Sequence, residues 1–334
     1  MPTDTATYNW GCRNVRKVWW NGKFIDETNA RVSIYDEALM FGSTVFEMTR
    51  SFNQKHFYLK EHLERLFAGL KILHINPGYT IPELIQAVHD TAAENLASMQ
   101  EGDEHRIMIN VTRGLLGIYA DVDVPKGPNV IIANFPLRWT VAGMGPLFDH
   151  GINAVIPAQR AIPANLLDPK IKNRSRLHYL LANIEVSRCR GDNNWALLLD
   201  PDGFIAEGTG DNFFIVKDNV ISTPEGRNIL RGISRDYVMH LAKSLEYTVK
   251  ETNIEPYDVY TADEAFMTGT PFCMLPVTSL NGLKIGTGTV GPAYNQLLAQ
   301  WSKTVGVDIK AQIQAWGTNT TAKITPYQFK VDNV

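Results

Sequence analysis

Cysteine is scarce in this chain. Cys12, Cys189 and Cys273 stand far apart, odd in number and without a CxxC pair. That excludes a disulfide framework and fits reduced thiols in a cytoplasmic protein. The eight histidines show no HExxH or comparable spacing, so no metal is expected. No apolar run approaches the ~20 residues that span a bilayer, and the opening MPTDTATYNWGC holds no stretch suited to a secretory leader. Neither sign of charge dominates: 20% of residues are charged and the net charge is −3. Nucleic acid and membrane surfaces are thereby set aside as main partners. Internal repeats and low-complexity segments are also missing. What is left, at 334 residues, is a cytoplasmic enzyme-like chain with room for one large or two medium cores.

The patterns present divide in two. KVWWNGKFIDETNARVSIYD reads as a hairpin turning at Asn21-Gly22, and STVFEMTRSFNQKHFYL as another turning at Asn53-Gln54. KEHLERLFAGLKIL repeats its leucines at helical spacing. TIPELIQAVHDTAAENLASM is a second helix, with Thr80 as N-cap, Pro82 in the first turn and Glu83 placed for a capping box. HRIMINVTRG and NVIIANFPL are strands, closing a small N-terminal α/β domain over residues 1–136. The glycine-rich RWTVAGMGPLFDHG reads as a loop-like interdomain linker, 137–150. Residues 151–334 form a larger domain: a strand in INAVIPAQRAI, a helix from about Arg174 to Arg190, more strands, and a helix after Gly232. The fold class is α+β or α/β, in two domains with mixed sheets and flanking helices.

Four local features carry chemistry. In DPKIKNRSRLHYLLANIEV, Lys170 and Lys172 precede an amphipathic helix; Lys172 follows Ile171, and Lys170 follows a proline. Burial draws a lysine down from about 10.4 toward neutrality, which frees the amine for a Schiff base. In GFIAEGTGDNFFIVKDNVISTP, two alternating strands meet at a glycine-bracketed corner that holds Glu207. A carboxylate there can accept a hydrogen bond from a protonated ring nitrogen. RGIS, Arg231 to Ser234, opens a helix and offers amides and a hydroxyl to an anion. MTGTPF adds a small turn with Thr270. Each of these alone is also an ordinary cap or turn.

Their order is what identifies them. FGSTVFE, EHLERL, VTRG, IK before a helix, AEGTGDNFFIVKD, LRGISRD and DEAFMTGT followed by PV run from about Trp19 to Pro292. The set resembles the class IV aminotransferases, pyridoxal-phosphate enzymes of fold type IV. This resemblance implies pyridoxal 5'-phosphate as cofactor, a ping-pong exchange between an amino donor and a 2-oxo acid, and a homodimer with its sites at the subunit interface. Lys172 is similar to the lysine that carries the cofactor, with Lys170 as fallback. Glu207 resembles the partner of the pyridine nitrogen, and Arg65, in EHLERL, the phosphate-binding arginine. Ile233 and Ser234 would add helix N-terminal donors and Thr270 a further anchor. Leu230 resembles the residue stacked on the ring, and Asn212 the residue that holds the turn.

MFGSTVFEMTR is closest to the branched-chain branch, with Phe41 and Phe46 lining an apolar pocket and Arg50 either meeting a carboxylate or facing solvent. Several positions depart from that branch. Arg106 and Met108 stand where it tends to carry a tyrosine and an arginine. Thr270 precedes Pro271, which has no N–H for a substrate carboxylate. Arg176 replaces the tyrosine expected near the phenolic oxygen and faces either that oxygen or substrate. The donors that remain open are branched-chain L-amino acids, which lead, then (R)-amines or D-amino acids. A lyase resembling aminodeoxychorismate lyase is the third reading.

Overall fold

The computed structural model describes residues 15–318; Cys12 and the opening dozen residues lie outside them. The first sheet is antiparallel throughout. It contains β1 (Lys17–Trp20), β2 (Lys23–Asp26), β3 (Thr44–Phe52), β4 (Lys55–His56), β5 (His105–Thr112) and β6 (Val130–Pro136), in the order β2-β1-β6-β5-β3-β4. Both expected hairpins form. Asn21, Gly22, Asn53 and Gln54 all take positive φ, the backbone that two-residue turns demand. A short helix α1 (Glu37–Phe41) leads into β3.

Alternation decides which face of this sheet is covered. Val45, Ile107, Ile109, Val111, Val130 and Ile132 are all fully buried on one side. There they meet α2 (Leu59–Ile72), through Leu63, Leu66 and Leu70, and α3 (Ile81–Glu94), through Leu84 and Val88. Thr80 caps α3 in the reciprocal box with Glu83. The other face of β3 and β5 carries Phe46, Met48 and Arg50 opposite Asn110, Met108 and Arg106.

Residues 137–150 are not a loop. They fold as α4 (Arg138–Val141) and α5 (Leu147–His150) with a 3-10 turn between them. Val141, Met144, Leu147 and Phe148 bury themselves in the second core. The glycines that suggested a linker only let these short helices pack closely. At Gly145 an added Cβ would press on the backbone of Gln314.

The second sheet has nine strands. Along its path run β7 (Ile152–Val155), β8 (Asn194–Leu199), β9 (Ile205–Gly208), β10 (Asn212–Lys217), β11 (Val220–Pro224), β12 (Thr248–Thr252), β13 (Glu264–Gly269) and β14 (Cys273–Leu280), with β15 (Leu283–Lys284) on β14. Antiparallel and parallel pairs mix, the parallel ones being β11/β12, β14/β7 and β7/β8. The stretch around Glu207 is three strands rather than two. β9 turns away to pair with β8 and touches β10 only at Glu207 opposite Asn212. That single contact closes β10-β13-β14-β7-β8-β9 into a ring. The helices here are α6 (Leu177–Val186), α7 (Ile233–Ser244), α8 (Pro256–Tyr260), α9 (Pro292–Val305) and α10 (Ile309–Thr318).

Candidate active site

One cleft lies where the two sheets meet. Arg65, Lys172, Arg176, Tyr179, Glu207, Asn212, Leu230, Ile233, Ser234, Thr268 and Thr270 border it.

The first sheet holds Lys172. Phe46 N–H donates to Lys172 O (2.9 Å), Asn173 bridges Val45, and Arg174 N–H donates to Thr44 O (3.1 Å). Three residues thus run as a strand fragment along the start of β3, with Ile171 anchored in the first core. The Lys172 side chain enters the cleft with Nζ 4.9 Å from the Phe46 ring centroid. Burial, then the nearby Arg65 guanidinium, lower its pKa to about 7 against the opposing pull of Glu47 and Glu207. A large fraction is therefore free amine at neutral pH. Lys170, the fallback, is drawn off elsewhere: its Nζ pairs with Asp168 (2.8 Å) and donates to Arg227 O (3.0 Å).

The second sheet holds Glu207, at the contact that closes the ring. Tyr179 Oη donates to Oε1 (2.9 Å), and Asn212 Nδ2 (3.1 Å) and the Leu230 N–H (3.0 Å) donate to Oε2. Asn212 also donates to Leu230 O (2.9 Å), which ties the loop to the strand. Burial raises the Glu207 carboxyl to about 7, while Tyr179, Leu230 and the fields of Lys172 and Arg176 resist that rise. Such a carboxyl can share a proton with a ring nitrogen of similar basicity.

The far end of the cleft suits an anion. Gly232 caps α7 with no side-chain hydrogen bond, so the Ile233 and Ser234 amides have no intrahelical acceptor. Arg65 sits beside them, its Nη1 donating to Arg231 O (2.8 Å). Sequence reasoning missed what holds Arg65. Glu47 is completely buried, accepts from Arg65 Nε (2.7 Å) and Nη2 (2.9 Å), and lies 2.7 Å from His62 Nδ1. Arg65 and its buried neighbour His62 hold the Glu47 carboxyl far below the usual range despite its burial. The available signal was the i, i+3 spacing of His62 and Arg65 on a helix packed over Glu47.

Other expected contacts fall away from the cleft wall. Arg50 is 1% exposed and neither meets a substrate nor faces solvent. It donates to Ser51 O, Pro271 O, Cys273 Sγ and Gln312 Oε1 and lies over Phe52, tying β3 to the second core. Phe41 is 64% exposed at the end of α1, outside this chain's cleft. Met108 opposes Met48 on the sheet and does not border the cleft either. Phe46 stands behind Lys172 instead of on the wall. Arg176 does line the cleft, donating to Thr209 O with its guanidinium 4.7 Å from the Tyr179 ring. Tyr179 itself was not picked out from the sequence.

These residues fit a phosphorylated pyridine aldehyde. The open α7 amides and Arg65 suit its phosphate, and Glu207 its ring nitrogen. The Thr268 hydroxyl, buried on the cleft wall, has no partner among the described residues. Gly232 keeps the entry clear, because a Cβ there would clash with Asn212 Oδ1. An amine and a carboxyl that both titrate near neutrality, with an anion pocket in the same cleft, suit a pyridoxal-phosphate enzyme, here on one antiparallel and one mixed sheet with flanking helices. Residues 44–280 match the model of the family described as Amino-transferase class IV, and the chain belongs to that family. It is an aminotransferase that uses pyridoxal 5'-phosphate.

Relatives extend this match. The chain is 37% identical over 283 residues to a putative branched-chain-amino-acid aminotransferase of Methanocaldococcus jannaschii, covering 84% of this chain and 93% of that protein. With the branched-chain-amino-acid aminotransferase of Escherichia coli K12 it shares 32% over 287 residues, covering 84% and 90%. A crystal structure of the E. coli branched-chain enzyme aligns with a TM-score of 0.78 at 30% identity, over 87% of this chain and 94% of that one. The T.th. branched-chain enzyme, complexed with N-(5'-phosphopyridoxyl)-L-glutamate, aligns at 0.73 and 28%, over 90% and 97%.

Proposed function

We propose that this aminotransferase takes its amino group from branched-chain L-amino acids and delivers it to a 2-oxo acid, in two half-reactions at one site. The observation that carries the site is a single cleft holding both the Lys172 amine and the Glu207 carboxyl. The donor preference rests on the branched-chain relatives. In this reading Arg65, Ile233, Ser234 and Thr270 hold the cofactor phosphate, and Leu230 lies against the ring. Glu207, oriented by Tyr179 and Asn212, keeps a proton on the ring nitrogen. When bound, pyridoxal 5'-phosphate supplies the electron-poor ring that takes up charge from the donor's Cα. Lys172 would hold the cofactor through its amine and, once free, would move the proton at the donor's Cα. Arg176 meets the polar edge of cofactor or substrate.

The reading also takes the two sheets with their cores as two domains, in a cytoplasmic homodimer. Support for a dimer comes from an exposed apolar surface beside the cleft: Ile34, Leu39, Phe41, Leu177 and Leu181 stand in solvent on α1, α6 and the segment before them. Ser175, just before α6, donates to Phe41 O at the end of α1.

The test is a half-reaction panel with L-leucine, D-alanine and (R)-1-phenylethylamine, following bleaching of the cofactor band. L-Leucine is expected to bleach it fastest. A D-amino acid or the (R)-amine in first place would replace this donor by the second reading, which the missing N–H of Pro271 after Thr270 favours. Lys172→Ala is expected to lose the band's borohydride sensitivity and all turnover.

A further inference from the structure

Lys170 takes no part in the chemistry, yet its amine is not left to solvent. Nζ pairs with Asp168 Oδ1 (2.8 Å) and donates to Arg227 O (3.0 Å), in the loop that leads into α7. Earlier in the same segment a second bond reaches the same loop, where the Ala164 N–H donates to Asn228 Oδ1 (3.2 Å). Asn228 is itself held from behind, its Nδ2 donating to Asp200 Oδ2 (3.1 Å). Between the two bonds the Leu166 and Leu167 amides fold back onto Pro163 O, and Leu166 stands 77% exposed.

This segment is the soft wall of the cleft. Ala161, Ile162, Leu167 and Pro169 border it. The other borders are built into regular structure or pinned to it: residues 172–174 on β3, the corner at Glu207, Thr268 in β13, and the helices α6 and α7. Leu230 is fixed from both sides, its N–H donating to Glu207 and its O accepting from Asn212. Residues 162–170 belong to no helix or strand. They hang between two firm ends, the Ala161 N–H on Leu199 O (2.9 Å) and Ile171 in the first core. Along that span, among the described residues, the hydrogen bonds to another element are those of Ala164 and Lys170. Backbone with neither ladder nor helix opens before the elements around it.

We propose that residues 162–170 are a strap over the cofactor site, latched to the loop before α7 by Lys170 and Asn228. Pyridoxal 5'-phosphate and pyridoxamine 5'-phosphate enter and leave when the strap opens. This rests on the cleft being the cofactor's seat. The latch lies wholly within the chain and uses no ligand atom, so it resists passage in both directions. A binding contact differs, because it slows departure alone.

The experiment loads wild type, Lys170→Met and Asn228→Ala with pyridoxamine 5'-phosphate, which forms no covalent bond to Lys172. Excess pyridoxal 5'-phosphate is then added, and growth of the visible band follows departure of the first ligand. Entry is timed separately, by mixing cofactor-free protein with pyridoxamine 5'-phosphate and following tryptophan fluorescence. Each variant is expected to speed departure and entry alike by about 5- to 10-fold, the contribution of one hydrogen bond. The dissociation constant then stays near that of wild type, and the band keeps its borohydride sensitivity. The Lys170 side chain is 29% exposed, so Lys170→Met decides the matter if Asn228→Ala fails to fold. Wild-type rates in Lys170→Met overturn the inference. Faster departure with unchanged entry also overturns it, because these residues would then only shape the seat. A wild type that takes up neither form of the cofactor instead counts against the cleft as its seat, and the strap falls with it.

Discussion

Lys172 and Glu207 are displaced toward each other by one cause. Burial disfavours charge on both, bringing the amine down and the carboxyl up to about 7. Only the neutral amine attacks an aldehyde. The rate at which cofactor-free protein recaptures pyridoxal 5'-phosphate is therefore expected to rise with pH through about 7 and then level off. An ordinary lysine would keep climbing toward 10.5. Band growth after rapid mixing across pH 5 to 9 measures this, and a continued climb would remove the argument for a shifted amine. Glu207→Gln keeps much of the shape but holds no charge against the ring proton. It is expected to lower kcat/KM for L-leucine roughly 100-fold while leaving the band in place. Glu47→Gln acts at a distance, by releasing Arg65. Weaker cofactor binding, by about tenfold, is expected, with kcat recovering at saturating cofactor. An unchanged dissociation constant would deny Glu47 a positioning role.

At the scale of elements, the site depends on three short pieces: the 172–174 fragment on β3, the ring-closing contact at Glu207, and the open end of α7. Gly232→Ala puts a Cβ into Asn212 Oδ1 at the third of these and so strains the partner of Glu207. Purified variant protein is expected to retain far less cofactor at an unchanged fold, as judged by circular dichroism. A comparison far from the cleft is Thr80→Ala, which breaks the α3 capping box. It should cost about 1 kcal/mol in urea unfolding and leave kcat alone. Helices and hairpins of this kind were legible in the chain: Asn21-Gly22, Asn53-Gln54, Thr80 to Glu83 and the leucines of α2 each announce a local geometry. The 137–150 segment was not. Its glycines looked like loop residues, and its helices exist because Val141, Met144 and Phe148 find a core supplied by distant strands.

Across the whole molecule, a histidine group is expected to set an acid limit. His56 packs against His89 and His105, with ring centroids 5.4 and 5.6 Å away. Its pKa is pushed down to about 4 by burial and then by those two neighbours. Since the folded value lies below the ordinary 6.5, the neutral ring's contribution to stability is whole above 6.5 and is lost as pH falls through about 4. Urea midpoints are expected to drop over that window in wild type and to drop less in His56→Gln. Parallel curves would place the acid limit elsewhere.

What the amino-acid sequence determined by itself was local and ordered: the strands and turns, the capped helices, and a succession of motifs that places Lys172, Glu207, Arg65, Ser234 and Thr270 in one family. What tertiary structure alone decided was which of those groups face each other. Arg50 and Phe41 read as pocket residues in a strand pattern, yet one is sealed between β3 and α10 and the other stands in solvent. Glu47 and Tyr179 read as ordinary residues, yet each meets its partner 18 to 28 positions away. Alternation and helical spacing fix a side chain's direction relative to its own element. The charge it meets there comes from another element, and only packing brings the two together.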